Sequence, residues 1–163
     1  MGAMTMKRKP FQGIGSWVSG TCRPEDIIPS ALDCLASLNG PDPQQVKTLC
    51  QAWDDLPEGD DDEPFGESTI GEEREWLLGE AESIIDEHLP PYLYWGAHYG
   101  DGADHGVWIL WDAIEDDRRS GELKSGDQLP DKAEGAFLVI NDHGNATLYV
   151  AENGVWREVW ACV

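Results

Sequence analysis

The chain has 163 residues, with 11 basic and 32 acidic side chains, and its formal net charge at pH 7 is −21. This length suits one folded domain with its own core, and a hydrophobic fraction of 40% with 8 Trp excludes an intrinsically disordered acidic chain. Phosphate binding needs clustered positive charge, and the basic cluster of the sequence is Lys7, Arg8 and Lys9. Direct binding to nucleic acid or to an anionic membrane is therefore disfavoured.

The start of the chain is interpreted as lying outside the fold. Residues 1–9 are expected to be a disordered tail or a remnant of cloning, and residues 10–163 a single α+β domain. No apolar run is long enough for a signal peptide or a membrane span, which favours a cytoplasmic protein. The four widely spaced cysteines form no C-x-x-C pair, so we expect reduced thiols rather than a zinc or redox site.

The sequence pattern of the first half of the chain predicts helices. Apolar residues at helical spacing predict an amphipathic helix over residues 23–38, with Pro29 favouring a late start, and Asp42 with Pro43 predicts the cap of a second, short helix that ends near Trp53. Residues 54–71 are rich in Asp, Glu, Gly and Pro and are expected to form an acidic loop. The strongest helical pattern covers residues 72–89 and ends at two prolines.

The sequence pattern of the second half predicts mainly β-strands. Residues 92–99 and 107–111 are predicted strands around a glycine-rich loop at 100–106, and Asp112 is expected to cap a short helix that reaches Arg119. Residues 136–140, 146–151 and 155–163 are separated by turn sequences and predict two consecutive hairpins. The predicted fold is α+β, with N-terminal helices packed on a C-terminal antiparallel sheet that contains a β-meander.

Negative charge is concentrated between residues 54 and 87. This segment holds 15 acidic residues against Arg74 alone, a net charge of −14 in 34 residues. Such crowding costs stability through like-charge repulsion, so we expect it to serve a basic partner. Helical periodicity places Trp76 on the acidic side of its helix, where it would be an interface anchor. The predicted partner-binding residues are Asp60, Asp61, Asp62, Glu63, Glu72, Glu73, Glu75, Trp76, Glu80, Glu82, Asp86 and Glu87.

Purely structural roles stay open for Trp76 and the carboxylates, and we expect such roles for two histidines. Trp76 would be a packing residue if the preceding loop covered it, and the carboxylates would then only solvate a surface helix. His88 is expected to interact with the carboxyl end of its helix, and His143 is expected to belong to a hairpin turn.

The most enzyme-like segment runs from His98 to His105 and also contains Asp101 and Asp104. With His143 added, these residue types could bind a metal ion, which makes a metal-binding domain or a metal-dependent hydrolase an alternative function. The spacing matches no established metal motif, so the simpler interpretation is a tight loop whose glycines adopt positive φ and whose aspartates bond their own backbone. Nucleophile-elbow and phosphate-loop motifs are absent from the sequence, so no catalytic or cofactor-binding residue is predicted.

Three segments of the C-terminal half carry a resemblance: residues 93–108 (LYWGAHYGDGADHGVW), 139–149 (VINDHGNATLY) and 158–160 (EVW). Over about residues 90–163 the chain resembles small proteins of bacterial phages and mobile genetic elements that have no assigned activity. The resemblance implies a phage or mobile-element setting inside a bacterial host cell and carries over no catalytic residue. In that setting small acidic proteins act as DNA mimics against host defence systems.

These observations lead to one main functional hypothesis. The chain is expected to be a non-enzymatic, DNA-mimic-like inhibitor that occupies the basic, nucleic-acid-binding surface of a host protein. An immunity protein that neutralises a basic toxin would use the same physics, and only the partner distinguishes the two.

Overall fold

The computed structural model describes residues 9–57 and 69–163, and all structural statements below concern these residues. The helices are α1 (Pro24–Ser37), α2 (Pro43–Asp55), α3 (Thr69–His88) and α4 (Trp111–Ser120). The strands are β1 (Gly15–Val18), β2 (Leu93–His98), β3 (Asp101–Ile109), β4 (Lys124–Gly126), β5 (Ala136–Ile140), β6 (Ala146–Glu152) and β7 (Val155–Cys162). The predicted α+β class and the C-terminal meander are thus confirmed.

The described chain divides into two compact units. The helical unit contains residues 15–57, 69–89 and 94–108, and the meander unit contains residues 9–14, 90–93 and 109–163. That residues 10–163 behave as one domain stays a prediction.

The helical unit is built from α1, α2, α3 and a three-stranded sheet in the order β1-β3-β2. Helix α1 packs mainly on α3 and α2 contacts both, so the N-terminal helices pack together. The core of the helical unit includes Ile28, Leu35, Leu77 and Ile85, each at most 1% exposed. Burial of these side chains supplies the main driving force for association of the helices.

The first residues of α2 and α1 test the predicted effects of local sequence on where a helix begins. The Asp42 side chain accepts a hydrogen bond from the backbone N–H of Gln44 at 3.0 Å, and Pro43 occupies the first turn, as expected. The expected delay at Pro29 is wrong, because α1 begins at Pro24 and includes Pro29. The Pro29 side chain is exposed, so water can satisfy the carbonyl group that loses its helical partner.

The glycine-rich segment 100–106 is a strand for most of its length, and its prediction as a loop is wrong. β3 begins at Asp101 and pairs antiparallel with β1, with Gly15 opposite Val107 and Ser16 opposite Gly106. A Cβ at position 106 would collide with the Gly15 carbonyl oxygen, so this glycine permits a close approach of two strands. None of the three glycines at 100, 102 and 106 has a positive φ.

The meander unit contains a four-stranded sheet in the order β4-β5-β6-β7. The β5–β6 and β6–β7 pairs are antiparallel, as predicted, whereas β4 pairs parallel to β5. Leu138, Leu148 and Trp160 are fully buried, and the Trp160 indole N–H donates to the Pro91 carbonyl oxygen at 2.8 Å. The predicted cap at Asp112 is wrong, because α4 begins at Trp111 and Asp112 lies in its first turn.

Candidate protein-binding face of helix α3

Helix α3 has one apolar side and one acidic side. Leu77, Ala81, Ile84 and Ile85 are at most 5% exposed and form the buried side. The exposed side, called here the acidic face, consists of Glu72, Glu73, Glu75, Trp76, Glu80 and Glu87. The predicted orientation of the helix is therefore confirmed, because its polar and apolar residues alternate with a period close to 3.6.

Trp76 lies within the acidic face and is 58% exposed, although the next residue, Leu77, is only 1% exposed. An indole ring that is more than half exposed leaves apolar surface that a binding partner can bury. The expectation that Trp76 projects from the acidic side is confirmed, and its role as an anchor stays a prediction.

The carboxylates of α3 have no cationic partner in the described part of the chain, where the ion pairs involve other acidic residues. Arg74, the one Lys or Arg of α3, forms no ion pair with them among the described residues. A backbone hydrogen bond and the guanidinium groups of Arg23 and Arg74 hold the pKa of Glu25 below its ordinary value. With one guanidinium against seven carboxylates on α3, the acidic face keeps a large negative charge.

The density of this charge invites comparison with a nucleic acid. The acidic face carries five carboxylates between Glu72 and Glu87, which is about one per 5 Å of helix at about 1.5 Å rise per residue. Each strand of duplex DNA carries one phosphate per about 3.4 Å. The linear charge density of the acidic face is thus somewhat below that of one DNA strand and well below that of the whole duplex.

Glu82 and Asp86 differ from the other predicted binding residues. Glu82 is half-buried, and burial together with the nearby Asp86 carboxylate raises its pKa. Asp86 is exposed, but its Oδ1 accepts a hydrogen bond at 3.2 Å from the backbone N–H of Trp95 in β2. Because one carboxylate is partly desolvated and the other serves the fold, we assign neither to the acidic face.

Asp60, Asp61, Asp62 and Glu63 lie outside the described residues, so their predicted part in binding stays a prediction. His88 ends α3 as expected, and its Nδ1 lies 2.8 Å from the Ile84 carbonyl oxygen. The imidazole thus contacts a carbonyl oxygen in the last turn of the helix, where a basic side chain is favourable.

The segment from His98 to His105 is held by contacts of other kinds. His98 Nδ1 accepts from the Gly100 backbone N–H at 3.0 Å, which assigns the ring proton to Nε2 in the neutral imidazole. Asp101 Oδ1 accepts from the Ala103 N–H at 3.0 Å, as expected, but Asp104 accepts from the Ser16 hydroxyl instead of its own backbone. His105 Nδ1 is buried and has no hydrogen-bond partner within the described chain.

Within residues 9–57 and 69–163, no three His, Cys, Asp or Glu side chains converge in a way that could hold a metal ion. His143 is exposed in the β5–β6 turn, where its backbone N–H donates to Asn141 Oδ1 at 2.9 Å. This geometry gives the metal-site alternative no support.

Comparisons with known proteins add no assignment: no family model, no curated protein and no solved structure matches the chain. Among the helices that the structure describes, none is both long and apolar enough to cross a bilayer. The functional inference therefore depends on the residues themselves.

Sequence reasoning missed two features of the helical unit. The hydrogen bond between Asp86 and the β2 backbone joins a helix to a strand, and no local sequence pattern predicts it. The packing of His98 against Tyr99 and against Trp108 was also missed, although the density of aromatic residues in this segment was a usable signal.

Proposed function

We propose that this chain is a non-enzymatic acidic protein that binds a basic, nucleic-acid-binding surface of a partner protein through the acidic face of α3. The observation that carries the proposal is the 58% exposure of Trp76 among carboxylates with no cationic partner in the described chain. Exposed Trp residues are frequent anchors of protein interfaces. Uncompensated charge around such an anchor favours a partner of opposite sign.

The two components have different physical roles. The carboxylates accelerate the encounter with a basic surface and restrict its orientation, since electrostatic complementarity acts mainly on association rate and specificity. Trp76 contributes apolar area that is buried on binding and slows dissociation. A partner surface that normally contacts phosphates would be blocked by this combination.

The proposed biological setting is inhibition of a bacterial defence protein that acts on nucleic acid. The resemblance of residues 90–163 to proteins of phages and mobile elements is what supports this setting. The acidic face lies outside the resembling segment, so charge and exposure support the binding mode independently of the setting.

The test is capture of partners from bacterial lysate on the immobilised full chain, at 50 mM and at 500 mM salt. We expect a captured protein that elutes as salt rises, because the screening length falls from above to below about 10 Å across this range. Duplex DNA should compete with the chain for that protein. Binding that is insensitive to salt and to DNA would contradict the proposal.

Two charge variants with the same net charge separate a specific face from general acidity. The first replaces Glu72, Glu73, Glu80 and Glu87 by Gln, and the matched control replaces the exposed Asp112, Asp127, Asp131 and Asp142 of the meander unit by Asn. Each variant makes the net charge four units less negative. Loss of capture in the first variant alone supports the acidic face, whereas equal loss in both indicates non-specific attraction and refutes the proposal.

A further inference from the structure

A second surface of the helical unit presents aromatic rings to solvent. The His98 imidazole stacks on the Tyr99 ring, with centroids 4.2 Å apart and an interplanar angle of 29°. The Trp108 ring meets His98 edge to face at 4.6 Å. These three residues, with Tyr94, are called here the aromatic cluster.

The cluster is anchored to the backbone of β2. The Trp108 indole N–H donates to the Gly96 carbonyl oxygen at 2.9 Å, and the Tyr94 hydroxyl donates to the Ala97 carbonyl oxygen at 3.1 Å. A Cβ at position 96 would lie 3.7 Å from the Tyr94 ring, so this ring covers the glycine. The Trp108 and Tyr94 rings are therefore tied to the β2 backbone, and Tyr99 joins them through its stacking contact with His98.

Tyr99, the outermost ring, is 77% exposed, more than any other large hydrophobic or aromatic side chain of the described chain except the terminal Val163. Stacking on His98 leaves most of its surface open to water. β2 and β3 are neighbours in the sheet and are joined by a turn at residues 99–100, and residues 93–109 are called here the hairpin. A ring that served only to stabilise the hairpin would gain more by burial. One face of the Tyr99 ring stacks on His98 and the ring is largely exposed, so its open surface can stack on a ligand.

The electrostatics of the hairpin select the charge of that ligand. Residues 93–109 contain Asp101 and Asp104 and no Lys or Arg. Asp101 is exposed and lies two residues from Tyr99, with Oδ1 occupied by the Ala103 N–H. Aromatic faces carry partial negative charge and attract cations. An anionic ligand would meet repulsion from both carboxylates and from the net charge of −21.

We propose that the exposed face of Tyr99 binds an arginine side chain of a partner protein. A guanidinium group is planar and weakly hydrated, so it stacks on an aromatic ring better than a lysine ammonium does, and the negative charge of the segment favours a cation. This site involves different residues from the acidic face of α3 and does not depend on the function proposed for that face.

The experiment titrates the full chain with the capped tripeptide Gly-Arg-Gly and follows the Trp108 indole N–H signal and the backbone amide signals of residues 96–104 by NMR. We expect saturable shifts confined to the hairpin. A Gly-citrulline-Gly peptide, which has nearly the same shape but no charge, should bind more weakly by about two- to five-fold, the range of an exposed cation–π contact.

Variants locate the site. Tyr99→Phe should retain binding, whereas Tyr99→Leu should weaken it by about two- to five-fold because it removes the aromatic face. Val155→Ala, at an exposed position in the meander unit, is the matched control and should bind as the unmodified chain does. The Glu→Gln variant of the acidic face should also retain the shifts in the hairpin.

The proposal is overturned if the hairpin signals do not move, if the citrulline peptide binds equally well, or if Tyr99→Leu binds the arginine peptide unchanged. Shifts that vanish in the acidic-face variant but persist in Tyr99→Leu would also overturn it, since the peptide would then bind at α3. None of these results bears on lysate capture by the acidic face, so the two proposals fail separately.

Discussion

Replacing Asp86 tests whether its carboxylate holds β2 against α3. Its Oδ1 accepts from the backbone N–H of Trp95, whose side chain is 4% exposed. In Asp86→Ala that N–H loses its acceptor in a partly buried place, at a cost of about 1–2 kcal/mol. For a chain of this size, this corresponds to a fall in melting temperature of about 2–8 °C.

Asp86→Asn separates the hydrogen bond from the charge. The amide oxygen can accept the same bond, and loss of the charge relieves repulsion with Glu82, so we expect stability within about 0.5 kcal/mol of the unmodified chain. Glu87→Ala is the control, because Glu87 is exposed and adjacent. Thermal melts followed by circular dichroism measure all three variants. If Asp86→Ala and Glu87→Ala have the same melting temperature, the assigned structural role of Asp86 is wrong.

Two further stability predictions concern the helical unit. Burial and Asp86 raise the native pKa of Glu82 above its ordinary value of 4.5, so its penalty appears as pH rises through that native pKa. Glu82→Gln should therefore stabilise the chain at pH 7 by about 0.2–0.5 kcal/mol, and urea melts in which this gain persists unchanged below pH 4 would contradict the assignment. Gly106→Ala should cost about 1–3 kcal/mol because its Cβ meets the Gly15 carbonyl oxygen. Gly102→Ala, with no atom within 4 Å of its Cβ, should cost less in the same melts, and equal losses would refute the steric explanation.

Local patterns predicted the helices and the meander well. The contrast between Trp76 and Leu77 follows from helical periodicity alone, because residues that share a face recur every three or four positions. The β6–β7 turn at Asn153 and Gly154, both with positive φ, likewise depends on residues next to each other in the chain.

The wrong predictions for residues 100–106 have a common cause, which is dependence on a distant segment. The glycines around residue 106 resembled loop residues, but Gly106 is required by the approach of β1, about 90 positions earlier. The same holds for Asp104, whose partner is Ser16. A composition rich in Gly and Asp is typical of loops, and only the neighbouring strand shows that it belongs to a sheet here.

The sequence by itself determined the sign and the concentration of charge and the division of α3 into an apolar and an acidic side, because both depend on residue identity and on helical repeat. Only the tertiary structure shows which carboxylates stabilise the fold and which remain exposed to solvent. It also shows that Tyr99 is exposed and stacks on His98. These properties depend on the distance between atoms of segments far apart in the chain. Such distances are set by packing rather than by local pattern.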